Sequence, residues 1–142
     1  MKSSFYLLVA LIALGACKKP GCTDPDAVNY NSDAKTNDGS CSFEGSNVFW
    51  YDEETAGILV DDGAITLFYY VDGELIGSAA ASVYWTSDPD CLQAGSITLV
   101  KDLGSVKTQS VNYRVQDESD WIYWEGVLNV NANTCTNVEL TF

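Results

Sequence analysis

The 142-residue sequence has no histidine, and its 7 lysine and arginine residues face 20 aspartate and glutamate residues. Histidine is the side chain most often used for acid–base catalysis and a common zinc ligand, so its absence argues against both kinds of site. Three of the basic residues are Lys2, Lys18 and Lys19, which leaves the chain beyond Pro20 strongly acidic. Nucleic-acid phosphates would repel such a surface. We therefore expect no nucleic-acid partner.

Long apolar runs are also missing. The longest, Phe5 to Leu14, is about half of the roughly 20 residues that a transmembrane helix needs. With Lys2 before it and small residues after it, this run is typical of a secretory signal rather than of a membrane span. We assign residues 1–16 to a signal peptide.

The signal ends in Leu14-Gly15-Ala16-Cys17, which resembles the lipobox of bacterial lipoproteins. The resemblance implies that Cys17 is lipidated and that residues 17–21 form a short tether to the outer membrane. An ordinary cleaved signal followed by an incidental cysteine is the alternative. Lys18 and Lys19 lie where anionic headgroups would attract them, although they are equally explained as solvated linker charges. The residues after Cys17 lack the acidic pattern of surface-export signals. The periplasmic face and the cell-surface face of the outer membrane are therefore both left as alternatives for this protein.

Four cysteines remain after Cys17, and four cysteines allow three pairings. We predict Cys22–Cys41 and Cys91–Cys135, because each pair brackets a segment that resembles one structural unit. An even number of cysteines in a chain with a signal indicates an oxidising, extracytoplasmic compartment.

The first bracketed segment, residues 22–43, is rich in Asp, Asn, Ser and Gly. Val28 and Tyr30 are the only sizeable apolar residues between Cys22 and Cys41, so a disulfide must hold the segment together. Asp26 to Asn29 is a candidate helical turn. The segment resembles a motif of secreted and surface proteins from Bacteroidota-type bacteria, to which no defined activity belongs. The matching positions are Cys22, Thr23, Asp24, Pro25, Ala27, Asn29, Tyr30, Asn31, Ala34, Asn37, Asp38, Gly39, Ser40 and Cys41.

Residues 47–142 have the pattern of an all-β domain. Val111, Tyr113 and Val115 alternate with polar residues, as in a half-buried strand, and Asp72-Gly73 is a hairpin signal. No window shows a helical period. We predict an antiparallel β-sandwich of about seven strands with an immunoglobulin-like or similar Greek-key topology. The predicted strands cover residues 47–51, 65–71, 74–77, 82–86, 96–99, 111–116, 121–131 and 138–142.

This half is also similar to an uncharacterised β-sandwich domain of short lipoproteins from the same bacteria. The similar pieces are Val48-Phe49-Trp50, Val71-Asp72-Gly73, Asp88-Pro89-Asp90-Cys91, the Trp124-to-Val130 run and the Cys135-to-Leu140 run. The resemblance implies the fold and no activity.

Calcium is the first candidate ligand, because the small segment is rich in the hard oxygen donors that Ca²⁺ prefers. The candidate ligands are Asp24, Asp26, Asn29, Asn31, Asp33, Asn37 and Asp38. The spacing is not that of an EF-hand, since Ala34 and Ser40 replace its glycine and its bidentate glutamate. Turn formation by Asp and Asn is the alternative, and we favour it.

Aromatic residues are the second candidate. If Ile122 and Trp124 face the core, then Trp121 and Tyr123 project outward, and Tyr84 does so by the same reasoning. Beside Asp117, Glu118 and Asp120, such rings are suited to stacking on sugars. The alternative, which we favour, is that they cover a sheet face or pack on the small segment, with a bulge at Gly126.

Catalysis has little support, since no Gly-x-Ser-x-Gly and no phosphate-binding glycine loop occurs. Adjacent acids such as Glu53 and Glu54 are more often solvated turn residues than a glycosidase pair. We expect a non-enzymatic, lipid-anchored envelope protein that acts as a binding or adhesion module for a glycan or protein ligand, with calcium as a candidate stiffening ion. The alternative is a structural or accessory subunit of an envelope complex.

Overall fold

A computed structural model describes residues 19–142, so the predicted signal peptide and Cys17 lie outside the described residues. Two short strands pair near the start of this part, and seven longer strands with one helix form the rest. The elements are β1 (Pro20–Gly21), β2 (Thr36–Asn37), β3 (Phe43–Trp50), α1 (Glu53–Asp61), β4 (Thr66–Val71), β5 (Glu74–Ala80), β6 (Ile97–Gly104), β7 (Thr108–Asp117), β8 (Ile122–Asn131) and β9 (Cys135–Glu139).

The seven longer strands form two packed sheets, which confirms the predicted β-sandwich. One sheet has the order β6-β3-β9, and the other has the order β5-β4-β7-β8. Within these two sheets, all pairings are antiparallel except that of β3 with β9. In an immunoglobulin constant domain the first two strands pair with each other. Here β3 and β4 lie in different sheets, so the strand order is not that of an immunoglobulin constant domain.

The core lies between the sheets and takes alternate residues from the facing strands. Leu67, Val111, Val115 and Val130 are all buried there. Tyr113 reaches the same interior and packs against Phe49, with ring centroids 5.6 Å apart. The alternation predicted for β7 is therefore confirmed from Val111 to Val115, whereas Gln116, the last residue of the pattern, is buried. Asp72 and Gly73 both have positive φ, as a type I′ hairpin requires between β4 and β5.

Helix α1 contradicts the expectation that no window is helical. Asp52 caps its N-terminus by accepting a hydrogen bond from the Thr55 N–H at 2.9 Å. Only a narrow stripe of the helix, made of Thr55, Ala56 and Leu59, is buried. Glu53 and Glu54, which we interpreted as turn residues, form the first turn of α1, where acidic side chains stabilise the helix dipole.

The strand predicted over Ser82 to Thr86 is also wrong. This segment belongs to an irregular connection between β5 and β6 that residues of the core hold in place. The buried Tyr51 hydroxyl donates to the carbonyls of Ala80 and Ala81, and the Tyr51 carbonyl accepts from the Trp85 N–H. Burial raises the pKa of Tyr51 to about 12. The Trp85 N–H, which we assigned to a strand ladder, is thus satisfied by the Tyr51 carbonyl instead.

The segment that we took as the boundary between two units, residues 44–46, lies inside β3. Gly45 explains why the chain cannot be a loose linker there. A Cβ atom at this glycine would lie 2.1 Å from the Asn131 carbonyl oxygen, so β3 approaches the end of β8 at backbone distance.

The two predicted disulfides, Cys22–Cys41 and Cys91–Cys135, are both present. The first holds a small segment of turns whose only strand pairing is that of β1 with β2. Asp26 to Asn29 forms turns rather than the helical turn that we considered. The second disulfide joins the irregular connection between β5 and β6 to the first residue of β9.

Candidate functional site

Trp121 lies immediately before β8 and is the most exposed tryptophan side chain of the described residues, at 66% of its full accessible surface. Its backbone is fixed on both sides, because its N–H donates to Asp117 Oδ1 and its carbonyl accepts from the Asp117 N–H. The preceding residue, Asp120, has a positive φ of 65°. A large apolar ring is therefore held in solvent by an ordered turn.

A bulge in β8 changes which of its side chains face the core. Val115 pairs with Trp124 and Gln116 pairs with Ile122, so Tyr123 is the extra residue. The bulge therefore lies at Tyr123. Our sequence analysis had considered Gly126 as its position. The bulge reverses the alternation, and Ile122, which we assigned to the core, is 40% exposed.

Tyr123 does not project freely outward as predicted. It packs against Trp124 and Phe142, with ring centroids 5.8 and 6.1 Å away. Trp124 in turn stacks on Tyr51 and donates its indole N–H to the Thr141 carbonyl at 2.9 Å. Tyr51, Tyr123, Trp124 and Phe142 thus form a cluster of aromatic rings. We call this cluster, together with the neighbouring exposed Trp121, the aromatic end.

Three acidic residues beside the aromatic end have structural partners. Asp117 accepts hydrogen bonds from Ser119 and Trp121; burial raises its pKa, but these bonds outweigh burial and hold the pKa below its usual value. Glu118 binds the N–H groups of Ile65 and Thr66 at the start of β4, which lowers its pKa as well. Asp120 accepts from the Gln116 amide at 2.6 Å. These carboxylates shape the turn that presents Trp121.

Two of these carboxylates, those of Asp117 and Glu118, also influence the pKa of Tyr123. Its pKa is raised first by burial and then by the negative charges of Asp117, Asp62 and Glu118. Asp62 ends helix α1, so the helix and the turn before β8 lie at the same end of the sandwich. The aromatic end is thus apolar at its surface and negatively charged at its border.

Tyr84 lies elsewhere. It is 40% exposed and lines a groove of about 290 Å³ along α1 with Gly57, Val60 and Asp61. Its ring pairs with no other aromatic ring in residues 19–142. Within the described residues, Tyr84 therefore has no ring contact with Trp121 or Tyr123, and it faces a different groove.

The seven candidate calcium ligands all form hydrogen bonds or ion pairs with other groups of the protein. Most accept a hydrogen bond from the backbone N–H two residues later, which is the turn alternative that we favoured. This holds for Asp24, Asn31, Asn37 and Asp38. Asn29 bridges Ser40 and Ser42, and Asp33 pairs with Lys19. In the part of the chain that the structure describes, no group of three or more Asp, Glu, Cys or His side chains is placed to hold a metal ion.

Asp24 and Asp26 instead bind Lys107, the residue before β7, which our sequence analysis missed. The Lys107 ammonium lies 2.8 Å from a carboxylate oxygen of each and 5.5 Å from the centre of the Phe43 ring. The pKa of Asp24 is lowered, chiefly by the hydrogen bond from Lys107, and the pKa of Lys107 is raised by its bonds to the two aspartates. Cys22 and Ala27 are buried in the same hydrophobic cluster as the sandwich core. The small segment is therefore docked on the sandwich.

Phe142 is the other residue missed as part of the site. Its place at the end of the alternating run Val138, Leu140, Phe142 predicted a core position, but the ring is largely exposed over Trp124, 5.0 Å away. The alternation predicted that Phe142 lies on the same side of the chain as Val138 and Leu140. It gave no sign that β9 ends at Glu139, before Phe142 is reached.

No helix within residues 19–142 has the length and apolar character needed to cross a membrane. Comparison with protein-family models, curated proteins and solved structures finds no match to this chain.

Proposed function

We propose that this chain is a lipid-anchored envelope protein that acts as a non-catalytic binding or adhesion module, with the aromatic end as its binding surface for a glycan or protein. The lipobox-like Leu14-Gly15-Ala16-Cys17 supports the anchor. Tryptophan and tyrosine supply much of the energy at binding surfaces, because they offer a large apolar face with a polar group at the edge.

One observation carries the proposal: the Trp121 ring is exposed although its backbone is held at both the N–H and the carbonyl. Exposing a large indole to water costs free energy that a core position would recover. The turn that presents it uses Asp117 and Asp120, so several residues serve to keep the ring outward. A backbone that is already fixed loses little entropy when a ligand binds to the ring.

An accessory subunit of an envelope complex is the second candidate, and the Lys107 contacts favour it. Because Asp24 and Asp26 bind Lys107, the small segment is not an extended spacer. The tether from residue 17 to 21 then spans at most about 14–18 Å, which holds the sandwich close to the membrane. A subunit of a membrane-bound complex needs that proximity, whereas a long-reach adhesin does not.

Replacing Trp121 with alanine should abolish ligand retention while leaving the fold intact. We expect retention on glycans or proteins extracted from the cell envelope to fall about tenfold or more, the loss typical of an anchor residue. The melting temperature should change by less than about 2 °C, since the ring is exposed. Both quantities are measured on the full chain, by a column assay and by thermal unfolding.

The matched control is Val106→Ala, which removes a 50% exposed apolar side chain in the turn before β7, at the opposite end of that strand from Asp117. It should leave retention unchanged. If Trp121→Ala lowers the melting temperature as much as a core substitution, the ring is structural and the binding surface lies elsewhere.

The anchor has its own test. We expect the chain purified from its native membrane to begin at Cys17 and to carry the added mass of a lipid, as measured by intact-protein mass spectrometry. Cys17→Ser should release the chain from the membrane fraction. An unmodified Cys17 in the native protein would contradict the proposed lipid anchor.

A further inference from the structure

Arg114, in the middle of β7, is the only arginine of the sequence. It lies on the outer face of the four-stranded sheet, since its neighbours Tyr113 and Val115 face the core. Directly opposite it in the two adjacent strands are Tyr70 of β4 and Glu125 of β8. The guanidinium carbon lies 5.0 Å from the centre of the Tyr70 ring, so an aromatic face supports the guanidinium from one side.

The Arg114 guanidinium forms no hydrogen bond or ion pair with the residues that the structure describes. Its Nε atom is buried and has no hydrogen-bond acceptor among residues 19–142. The ion pairs formed within those residues involve lysines only, so even Glu125, its cross-strand neighbour, lies beyond ion-pair distance. In a chain with 20 acidic residues, one unpaired arginine is conspicuous. Lys101 and Lys107, by contrast, are both paired with aspartates.

The arginine lines a cleft of about 240 Å³. The other lining residues are Tyr70, Gly73, Asn112, Tyr113 and Glu125. Clefts that hold drug-sized ligands run from roughly 300 Å³ upward, so this one is suited to a single small unit. It combines the planar cation with one amide side chain and one carboxylate.

We propose that this cleft binds an acidic sugar, a single sugar unit with one carboxylate, at the Arg114 guanidinium. A planar guanidinium binds a carboxylate through two parallel hydrogen bonds, and an aromatic support fixes its plane. The Asn112 amide offers a donor and an acceptor for the neighbouring hydroxyl groups. The acidic body of the chain repels long polyanions, which favours a single acidic unit at the end of a glycan. The site is on the sheet face and is independent of the aromatic end.

Because the chain has one arginine, its ¹⁵N-edited NMR spectrum has a single Arg Nε–H signal, and this signal reports directly on the cleft. We expect glucuronate, added to the full chain in detergent, to shift this signal saturably at millimolar concentrations. Glucose, which has the same hydroxyls without the carboxylate, should leave the signal in place. Acetate at the same concentrations should shift it far less, because it lacks the hydroxyls that Asn112 binds.

Three variants of the chain test the same site. Their binding of glucuronate is measured by saturation-transfer NMR. Arg114→Lys keeps the charge but loses the planar fork, so we expect binding to weaken roughly tenfold. Glu125→Gln removes the one carboxylate that lines the cleft, and glucuronate should then bind more tightly. Trp121→Ala should leave glucuronate binding unchanged, which separates this site from the aromatic end.

Three results would overturn the proposal: no saturable shift with glucuronate, an equal shift with acetate, or weaker glucuronate binding by Glu125→Gln. The Glu125 variant alters only an exposed side chain, so it tests the site even if Arg114→Lys disturbs the sheet.

Discussion

Replacing Gly45 with alanine should destabilise the protein by at least about 3 kcal/mol and lower its melting temperature by on the order of 10 °C. The added Cβ would lie 2.1 Å from the Asn131 carbonyl oxygen and 2.9 Å from Val130 Cγ1. Neither the backbone oxygen nor the buried Val130 can move away without separating β3 from the end of β8. Thermal and urea unfolding, followed by tryptophan fluorescence, measure the loss.

Gly57→Ala is the matched control for this prediction. Gly57 lies within α1, and a Cβ there meets no atom within 4 Å. Since glycine in a helix interior is less stable than alanine by roughly 0.5–1 kcal/mol, the control should unfold at a slightly higher temperature. Equal stability of Gly45→Ala and the wild type would mean that β3 and β8 do not approach at backbone distance.

Removing the Cys91–Cys135 disulfide should have an effect of similar size. The two cysteines are separated by 44 residues, and the chain-entropy model assigns roughly 4 kcal/mol to a loop of this length. We expect the Cys91→Ser, Cys135→Ser double variant to melt roughly 10–15 °C below the wild type. The irregular connection between β5 and β6 should also exchange its amide hydrogens faster, because the disulfide is its covalent link to β9.

The Cys22→Ser, Cys41→Ser variant is the comparison for this second prediction. Its loop of 19 residues is worth roughly 3 kcal/mol in the same model, and its loss should loosen the small segment first. Unchanged melting of the Cys91–Cys135 variant would show that hydrogen bonds, such as those of Tyr51 and that of Asn137 to Asp88, hold the long connection without the disulfide.

The sandwich was predictable because strand alternation and turn chemistry are local signals. Val111, Tyr113 and Val115 show their common face directly, and Asp72-Gly73 indicates a type I′ turn without reference to the rest of the chain. The disulfide pairing followed from the way that each pair brackets one segment. Strand order was not predictable, since the parallel pairing of β3 with β9 depends on contacts between distant parts of the chain.

Helix α1 was missed because its signal is weak in isolation. Its buried stripe holds only Thr55, Ala56 and Leu59, and Gly57 lowers its helix propensity. The role of Gly45 could not be predicted for a related reason. This glycine admits the Asn131 carbonyl, which lies far away in the sequence.

The candidate binding surface was only partly predictable. An exposed Trp121 was only one of two alternatives, and it rested on a core position for Ile122 that the structure contradicts. The bulge at Tyr123 follows from its register with Val115 and Gln116. No local pattern indicates which residue of a strand is the extra one. The Arg114 cleft was missed as well, because it forms only when β4, β7 and β8 place Tyr70, Arg114 and Glu125 side by side.

The most direct test of the proposed function is to pass extracted envelope glycans and proteins over the immobilised full chain, to recover what is retained, and to determine its mass before and after contact. A non-catalytic binding module should retain at least one component, release it with its mass unchanged, and lose it on Trp121→Ala. Cleavage or chemical change of the retained component, or equal retention by Trp121→Ala, would contradict the proposed function.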